Sequence, residues 1–295
     1  MEIVKMIVVL TAFILFFLLL NQLEKSEKLN SEFIRKILHI GSGIGGLALP
    51  FIFEKKSSVI ILGAVFLMLL ISIRIVKHKI TGFKKVLETK NRKTFGDIYF
   101  IISILGLWIV SSEDKVMYAL PLIILMFSDA FAALIGEFYS KYKFNTGFGT
   151  KSIEGSVTFF LTTYFICINF FLFFSDIRSI NIVLVSLLLS ILTMILEVIS
   201  WNGLDNLFVP LFVYLFLRLN LYLTARELMY KLWVIIVLFV IIILNRKKTT
   251  LTRVAQTASL FFLYSLLLSP ILDTVSPPDV LAKSTSRLFL IISLF

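Results

Sequence analysis

The chain has 295 residues, of which 59% are hydrophobic and 16% charged, and a formal net charge of +11; its mean hydropathy is +0.98. Soluble globular domains carry about 25% charged residues, so this composition excludes that class and describes a polytopic membrane protein. In such a chain a basic balance reports loop bias and contact with anionic lipid, which sets nucleic acid aside as a partner. Cys167 is the single cysteine and lies in an apolar run, leaving no disulfide framework and no cysteine-based metal site.

A hydrocarbon core about 30 Å thick takes about 20 apolar residues per helix. On that measure the chain predicts spans near 3–20, 37–53, 57–76, 98–111, 116–139, 156–174, 181–200, 206–219, 232–244 and 255–272, the fourth, eighth and ninth being short. The expected fold is an all-α transmembrane bundle of about 9–11 spans. It divides into an N-terminal helix within 1–30, a main transmembrane domain over 31–245 and a C-terminal extension over 246–295. The first span is followed by the polar run NQLEKSEKLN and no A-x-A-like site, so it reads as a retained helix.

Between the third and fourth spans stand Lys77, Lys79, Lys84, Lys85, Lys90, Arg92 and Lys93. The positive-inside rule places this loop in the cytoplasm, together with 21–36, 137–155, 200–206 and 245–253. These segments hold eighteen Lys and Arg residues against ten on the other face, with Arg74 inside a span.

Polar residues within or beside the spans follow in chain order. RKILHIGSG (35–43) opens the second span, with His39 one turn after Arg35 and Lys36, and a GxxxG pair at Gly41 and Gly45. That pair is most often a packing device, and a histidine there is as readily a structural hydrogen bonder as a ligand. RKTFGD (92–97) leads into the fourth span. Asp129 lies deep in the fifth; an ionised Asp there costs about 2.5–3.5 kcal/mol, so it should face a polar cavity, a cation or a charged partner. Ala133, Gly136 and Ser140 follow at helical spacing and make room for a ligand or for a neighbouring helix.

TKSIEGS (150–156) opens the sixth span. Its Lys, its hydroxyls and the backbone N–H groups of a helix start suit a phosphate, and Glu154 adds a metal-ligand type. The structural alternative makes Thr150 or Ser152 a helix cap, with Glu154 in the first turn. A P-loop is excluded, because Asn145 and Thr150 stand where that pattern needs glycines. EVISWNGLDN (197–206) closes the seventh span. Glu197, Asp205 and Asn206 offer the oxygen ligands Mg²⁺ prefers, or mark a helix end with an Asx turn. All these features except Asp129 fall at the expected cytoplasmic end, where nucleotides are, and together they point to an intramembrane nucleotide and metal site.

SDAFAALIGEFYSKYKFNTGFGTKSIEGS resembles the pattern D-x₂-A-x₃-G, a variable loop, then K-[ST]-x-E-G-[ST]. That pattern belongs to membrane polyprenol and phytol kinases, with dolichol kinase and the CTP-using diacylglycerol kinase of fungi. EFIRKILHIGSG, RKTFGDIYF and EVISWNGLDNLFVPL resemble further blocks of these kinases in the same order, so the resemblance runs from Glu32 to Leu211. It departs at Ser140, where the family often has Gly. The resemblance implies transfer of the γ-phosphoryl group of a nucleoside triphosphate, CTP, to the hydroxyl of a lipid alcohol. Matching positions are Lys36, His39, Gly96, Asp129, Gly136, Lys151, Glu154, Gly155, Glu197, Asp205 and Asn206. The expected roles place Mg²⁺ on Asp129 with Asp205 or Glu197, and the phosphates on Lys151 and the following helix start with Ser152 and Ser156. Lys36, Lys93 and Asn206 complete the nucleotide side, and His39 or a carboxylate such as Glu154 orients or deprotonates the alcohol.

Phosphatidate cytidylyltransferases share a related pattern but end in a His-Gly-Gly signature, and no His lies beyond His78 here. A lipid transporter or flippase is the alternative outside enzymes. Internal repeats would support it, but each polar motif occurs once.

Overall fold

The computed structural model describes residues 1–25, 29–75, 95–111, 114–146 and 149–245. The chain runs α1 (Glu2–Lys25), α2 (Ser31–Ile52), α3 (Lys56–Ile75), α4 (Gly96–Val110), α5 (Lys115–Phe138), β1 (Lys143–Asn145), β2 (Thr150–Ser152), α6 (Ile153–Phe174), α7 (Ser179–Ile199), α8 (Asp205–Asn220) and α9 (Ala225–Asn245). Most of the basic loop, including Lys93, the expected span 255–272 and all of 246–295 lie outside the described residues.

The architecture is an all-α polytopic bundle. Among the described residues four helices, α1, α5, α6 and α7, are long and apolar enough to cross a membrane, and α3 and α4 carry shorter apolar stretches. Helices α4 and α8 stand where the short fourth and eighth spans were expected. At 15 and 16 residues, α4 and α8 are short, well under the ~20 residues that cross about 30 Å.

Two helices begin earlier than their apolar runs, because capping residues start them. Asn30 accepts from the Glu32 N–H at 2.8 Å, so α2 starts at Ser31 and carries its polar residues on a helical scaffold. Thr224 and Glu227 form a capping box ahead of α9: the Glu227 carboxylate accepts from the Thr224 N–H at 2.7 Å, and Thr224 Oγ1 from the Glu227 N–H at 3.4 Å. Hydropathy alone does not register such a box.

The segment between α5 and α6 is more than a connecting loop. It forms an antiparallel hairpin pairing Lys143 with Ser152, Phe144 with Lys151 and Asn145 with Thr150. Alternation along β2 turns Lys151 to the face opposite Thr150 and Ser152.

Helix α5 lies at the centre, packed against α6, α2 and α8, while α4 packs on α8 and α6 on α7. Leu122 and Leu125 of α5, Phe159 of α6, Leu188 of α7 and Val213 of α8 are fully buried in this core. Thr163 donates to Ser128 at 2.9 Å within it. The glycines of α2 set how close its neighbours come. A Cβ on Gly43 would stand 1.9 Å from Met126 Sδ of α5, and one on Gly41 would stand 2.4 Å from the Phe16 ring of α1. Gly45 differs: a Cβ there meets nothing within 4 Å. Gly41 and Gly43 are therefore packing positions, whereas the expected partner Gly45 is not.

Thr224→Ala should lower stability by about 1 kcal/mol through loss of the cap. Thermal unfolding in detergent measures this, and Thr224→Ser, which keeps the acceptor, should retain most of it.

Candidate functional site

Helical spacing brings the first group together. Lys36 and His39 are three residues apart on α2, and Leu125 and Asp129 four apart on α5, so each pair shares one face of its helix. With Gly43 allowing close approach, the two faces meet. Lys36 Nζ donates to Asp129 Oδ2 at 2.5 Å, with the lysine side chain 3% and the carboxylate 14% exposed. His39 Nε2 lies 3.5 Å from the same Oδ2 and 3.4 Å from the Leu125 carbonyl. Its ring packs 4.6 Å from that of Phe100 on α4. The charged partner Asp129 requires is thus a lysine of the protein itself.

A second group forms where the hairpin, α7 and α8 converge. Lys151 Nζ donates to Glu197 Oε1 at 2.5 Å and also to the Glu197 backbone carbonyl. Asn202 and Gly203 adopt positive φ, 53° and 85°, turning the chain sharply so that α8 begins beside the site. Asp205, its first residue, lies within electrostatic reach of Asp129, Lys151, Lys36 and Arg35. Among the described residues Asp205 makes no ion pair, whereas Asp129 and Glu197 each hold a lysine. No group of three or more His, Cys, Asp or Glu stands close enough to hold a metal among these residues.

The remaining positions divide between this cluster and the framework around it. Ser152 caps α6, accepting from the Gly155 N–H at 3.1 Å. The Ser156 hydroxyl donates to the Ser152 carbonyl at 3.1 Å. Glu154 reaches back to the hairpin, accepting from the Lys141 and Tyr142 N–H groups at 2.8 and 3.1 Å. These are the contacts of a helix start, and they orient Lys151. Gly136 and Gly155 face one another: a Cβ on Gly155 would stand 3.0 Å from the Ala132 carbonyl and 3.5 Å from Gly136 Cα. Gly136 therefore serves close packing of α5 on α6. Asn206 donates from Nδ2 to the Gly96 carbonyl at 2.9 Å, and the Phe95 N–H donates to the Asn202 carbonyl at 3.3 Å, tying the start of α4 to the α7–α8 turn.

Two further ion pairs complete the cluster. Arg35 binds Glu32 through two nitrogens, Nε at 3.0 Å and Nη2 at 2.5 Å, and lies within electrostatic reach of Asp129 and Asp205. Arg74, in the last turn of α3, donates to Asp97 Oδ1 at 2.5 Å and lies 4.9 Å over the Phe95 ring. None of these four residues was singled out from the sequence as a site position. A signal existed in Arg74, a cation inside an apolar run that requires a counter-charge, and in Asp97, the acidic residue of RKTFGD.

The chain is 27% identical over 196 residues to a protein of Synechocystis sp. named phytol kinase, a match covering 65% of this chain and 80% of that protein. This similarity supports assignment to the polyprenol and phytol kinase family. No family model matches the chain, and no solved structure does.

Removing one member of a buried pair strands the other charge, at about 3–5 kcal/mol in soluble interiors. Asp129→Asn should therefore lower the melting temperature of the detergent-solubilised protein. Adding Lys36→Met should recover part of the loss, and additive effects would dissolve the pair as a structural unit.

Proposed function

We propose that the protein is an integral-membrane lipid-alcohol kinase, transferring the γ-phosphoryl group of a nucleoside triphosphate, with CTP as donor, to the hydroxyl of a lipid alcohol. The observation that carries this reading is the charged cluster at one end of an apolar bundle. Lys36, Lys151 and Arg35 each hold a carboxylate there, and Asp205 stands beside them without an ion pair among the described residues. The similarity to a phytol kinase points the same way.

Phosphoryl transfer asks for positioning and for charge neutralisation on the transferred group rather than for covalent chemistry by the protein. Lys151 would leave Glu197 for the incoming phosphates, whose oxygens compete for an ammonium as a carboxylate does. The alcohol oxygen attacks the γ-phosphorus, the bond to the bridging oxygen breaks, and CDP leaves. The hydroxyl proton passes to a carboxylate of the cluster or to His39, which stands beside Asp129. Mg²⁺ usually takes only one or two carboxylates, with nucleotide phosphates and water completing its shell. Asp205 with Asp129 suits that role although no three-ligand cage is present; bound there, the cation supplies further neutralisation of the transferred group. Glu197, the alternative ligand, stands as Asp129 does: each is paired with a lysine in this structure, and each would be freed when that lysine turns to the phosphates.

In this reading the cluster faces the cytoplasm. With Cys167→Ala as background, Lys143→Cys and Asn202→Cys should react with an impermeant thiol reagent only after permeabilisation. Asp176→Cys, at the other end of α6, should react in intact cells. Reversed labelling would overturn the orientation.

The chemistry is tested with γ-labelled CTP and a lipid alcohol: label should enter the organic phase as a lipid monophosphate. Label found only in pyrophosphate, with α-label entering lipid when phosphatidic acid is supplied, would make the protein a cytidylyltransferase.

A further inference from the structure

A cavity of about 390 Å³ lies between α1, α2, α3 and α4, within the range of about 300–1,000 Å³ usual for ligand pockets. Its walls are hydrocarbon, with Phe13 and Phe16 from α1, Leu49 from α2, Phe66 from α3 and Ile104 from α4. Along α2 it extends from His39 to Ile52, about 20 Å at about 1.5 Å per residue. Its polar groups gather where it reaches the charged cluster: Arg35, His39, Asp97 and Asn206.

Two atoms at that end define the occupant. Asn206 Oδ1 and Asp97 Oδ2 are buried and have no hydrogen-bond partner among the described residues, and Asn206 is 8% exposed. Both are acceptors, and a buried acceptor left unmatched is costly. An occupant that matches them carries a donor at one tip of an apolar body. An alcohol hydroxyl supplies that donor, whereas an ionised lipid phosphate brings only acceptors. The cations at this end are held by carboxylates, Arg35 by Glu32 and Arg74 by Asp97 itself.

We infer that this cavity holds the hydrocarbon chain of the lipid alcohol, its hydroxyl at Asn206 and Asp97 next to His39, and that the open wall at Gly45 sets how much chain fits. The inference rests on the kinase reading for the identity of the substrate. Gly45 lines the cavity and is the α2 glycine whose Cβ would meet open space, while side chains on Gly41 and Gly43 would collide with Phe16 and Met126. Gly45 is exposed at the open side of the cavity, so a larger residue there has room without displacing a helix.

The test uses the full chain in lipid nanodiscs with two readouts. In the first, wild type, Gly45→Leu and Gly45→Phe phosphorylate geraniol, farnesol, phytol and a long polyprenol. The ratio of phytol to geraniol turnover should fall about tenfold or more in Gly45→Phe, and less in Gly45→Leu. In the second, a fatty alcohol with a diazirine near its tail is photolysed on the wild type, and crosslinks should map to the Phe13, Phe66 and Ile104 regions, competed by phytol more strongly than by phosphatidic acid. An unchanged length profile with crosslinks on other helices would overturn the cavity while leaving the kinase reading intact. Crosslinks in the cavity without phosphate transfer to any alcohol would support the cavity and refute the kinase. Equal competition by phosphatidic acid would refute the choice of an alcohol. If neither variant folds, the wild-type crosslinks decide.

Discussion

The pair between Lys36 and Asp129 is the constraint around which the rest of the site is arranged. Neither side chain is tolerable alone at its depth in an apolar bundle, and together they fix the rotation of α2 against α5. Once those faces meet, His39 has its place between the Leu125 carbonyl and Asp129, and Gly43 has its place against Met126. Since α5 also carries α6 and α8, the same contact positions the elements that bring Lys151, Asp205 and Asn206.

The pairs around it gather in one place the kinds of group that the proposed kinase reading asks for. Each lysine of the cluster is held by a carboxylate, and each side is a group a nucleotide or its cation would bind. A kinase needs its phosphate-binding cations and its metal-binding carboxylates close together, and in the absence of substrate they neutralise one another. Asp205 has no ion pair among the described residues and, in the proposed reading, is the carboxylate assigned to a cation. On the other side of His39 the environment changes from charge to hydrocarbon within a few residues of α2, a boundary suited to a molecule with a polar tip and an apolar body.

Much of the fold was legible because membrane helices declare themselves through long apolar runs, and α5, α6 and α7 match their expected spans within a few residues. The starts of α2 and α9 were not, because Asn30 and Thr224 act through hydrogen bonds that hydropathy ignores. The β1–β2 hairpin was invisible for a related reason: three-residue strands carry too little pattern to read. In the site, the sequence showed which polar residues were anomalous but not which would neutralise which. Asp129 called for a partner, yet nothing along the chain singles out Lys36, 93 residues away. Glu154 and Ser152 had two readings each, and their observed bonds are those of the helix start. Arg74 and Asp97 escaped because each is ordinary until α3 and α4 are set side by side.

The central claim is that the Lys36–Asp129 pair belongs to an active centre and is more than a clamp between helices. Exchanging the two residues, Lys36→Asp together with Asp129→Lys, keeps an ion pair across α2 and α5 but moves each charge to the other helix. With the doubly substituted protein in nanodiscs, melting temperature and transfer of γ-label to a lipid alcohol are measured on the same sample. The account predicts a folded protein, more stable than Asp129→Asn, with phosphoryl transfer reduced by about 10²-fold or more, because the transferred group would meet the wrong sign of charge at each position. A folded exchange variant that transfers phosphate at the wild-type rate would contradict it.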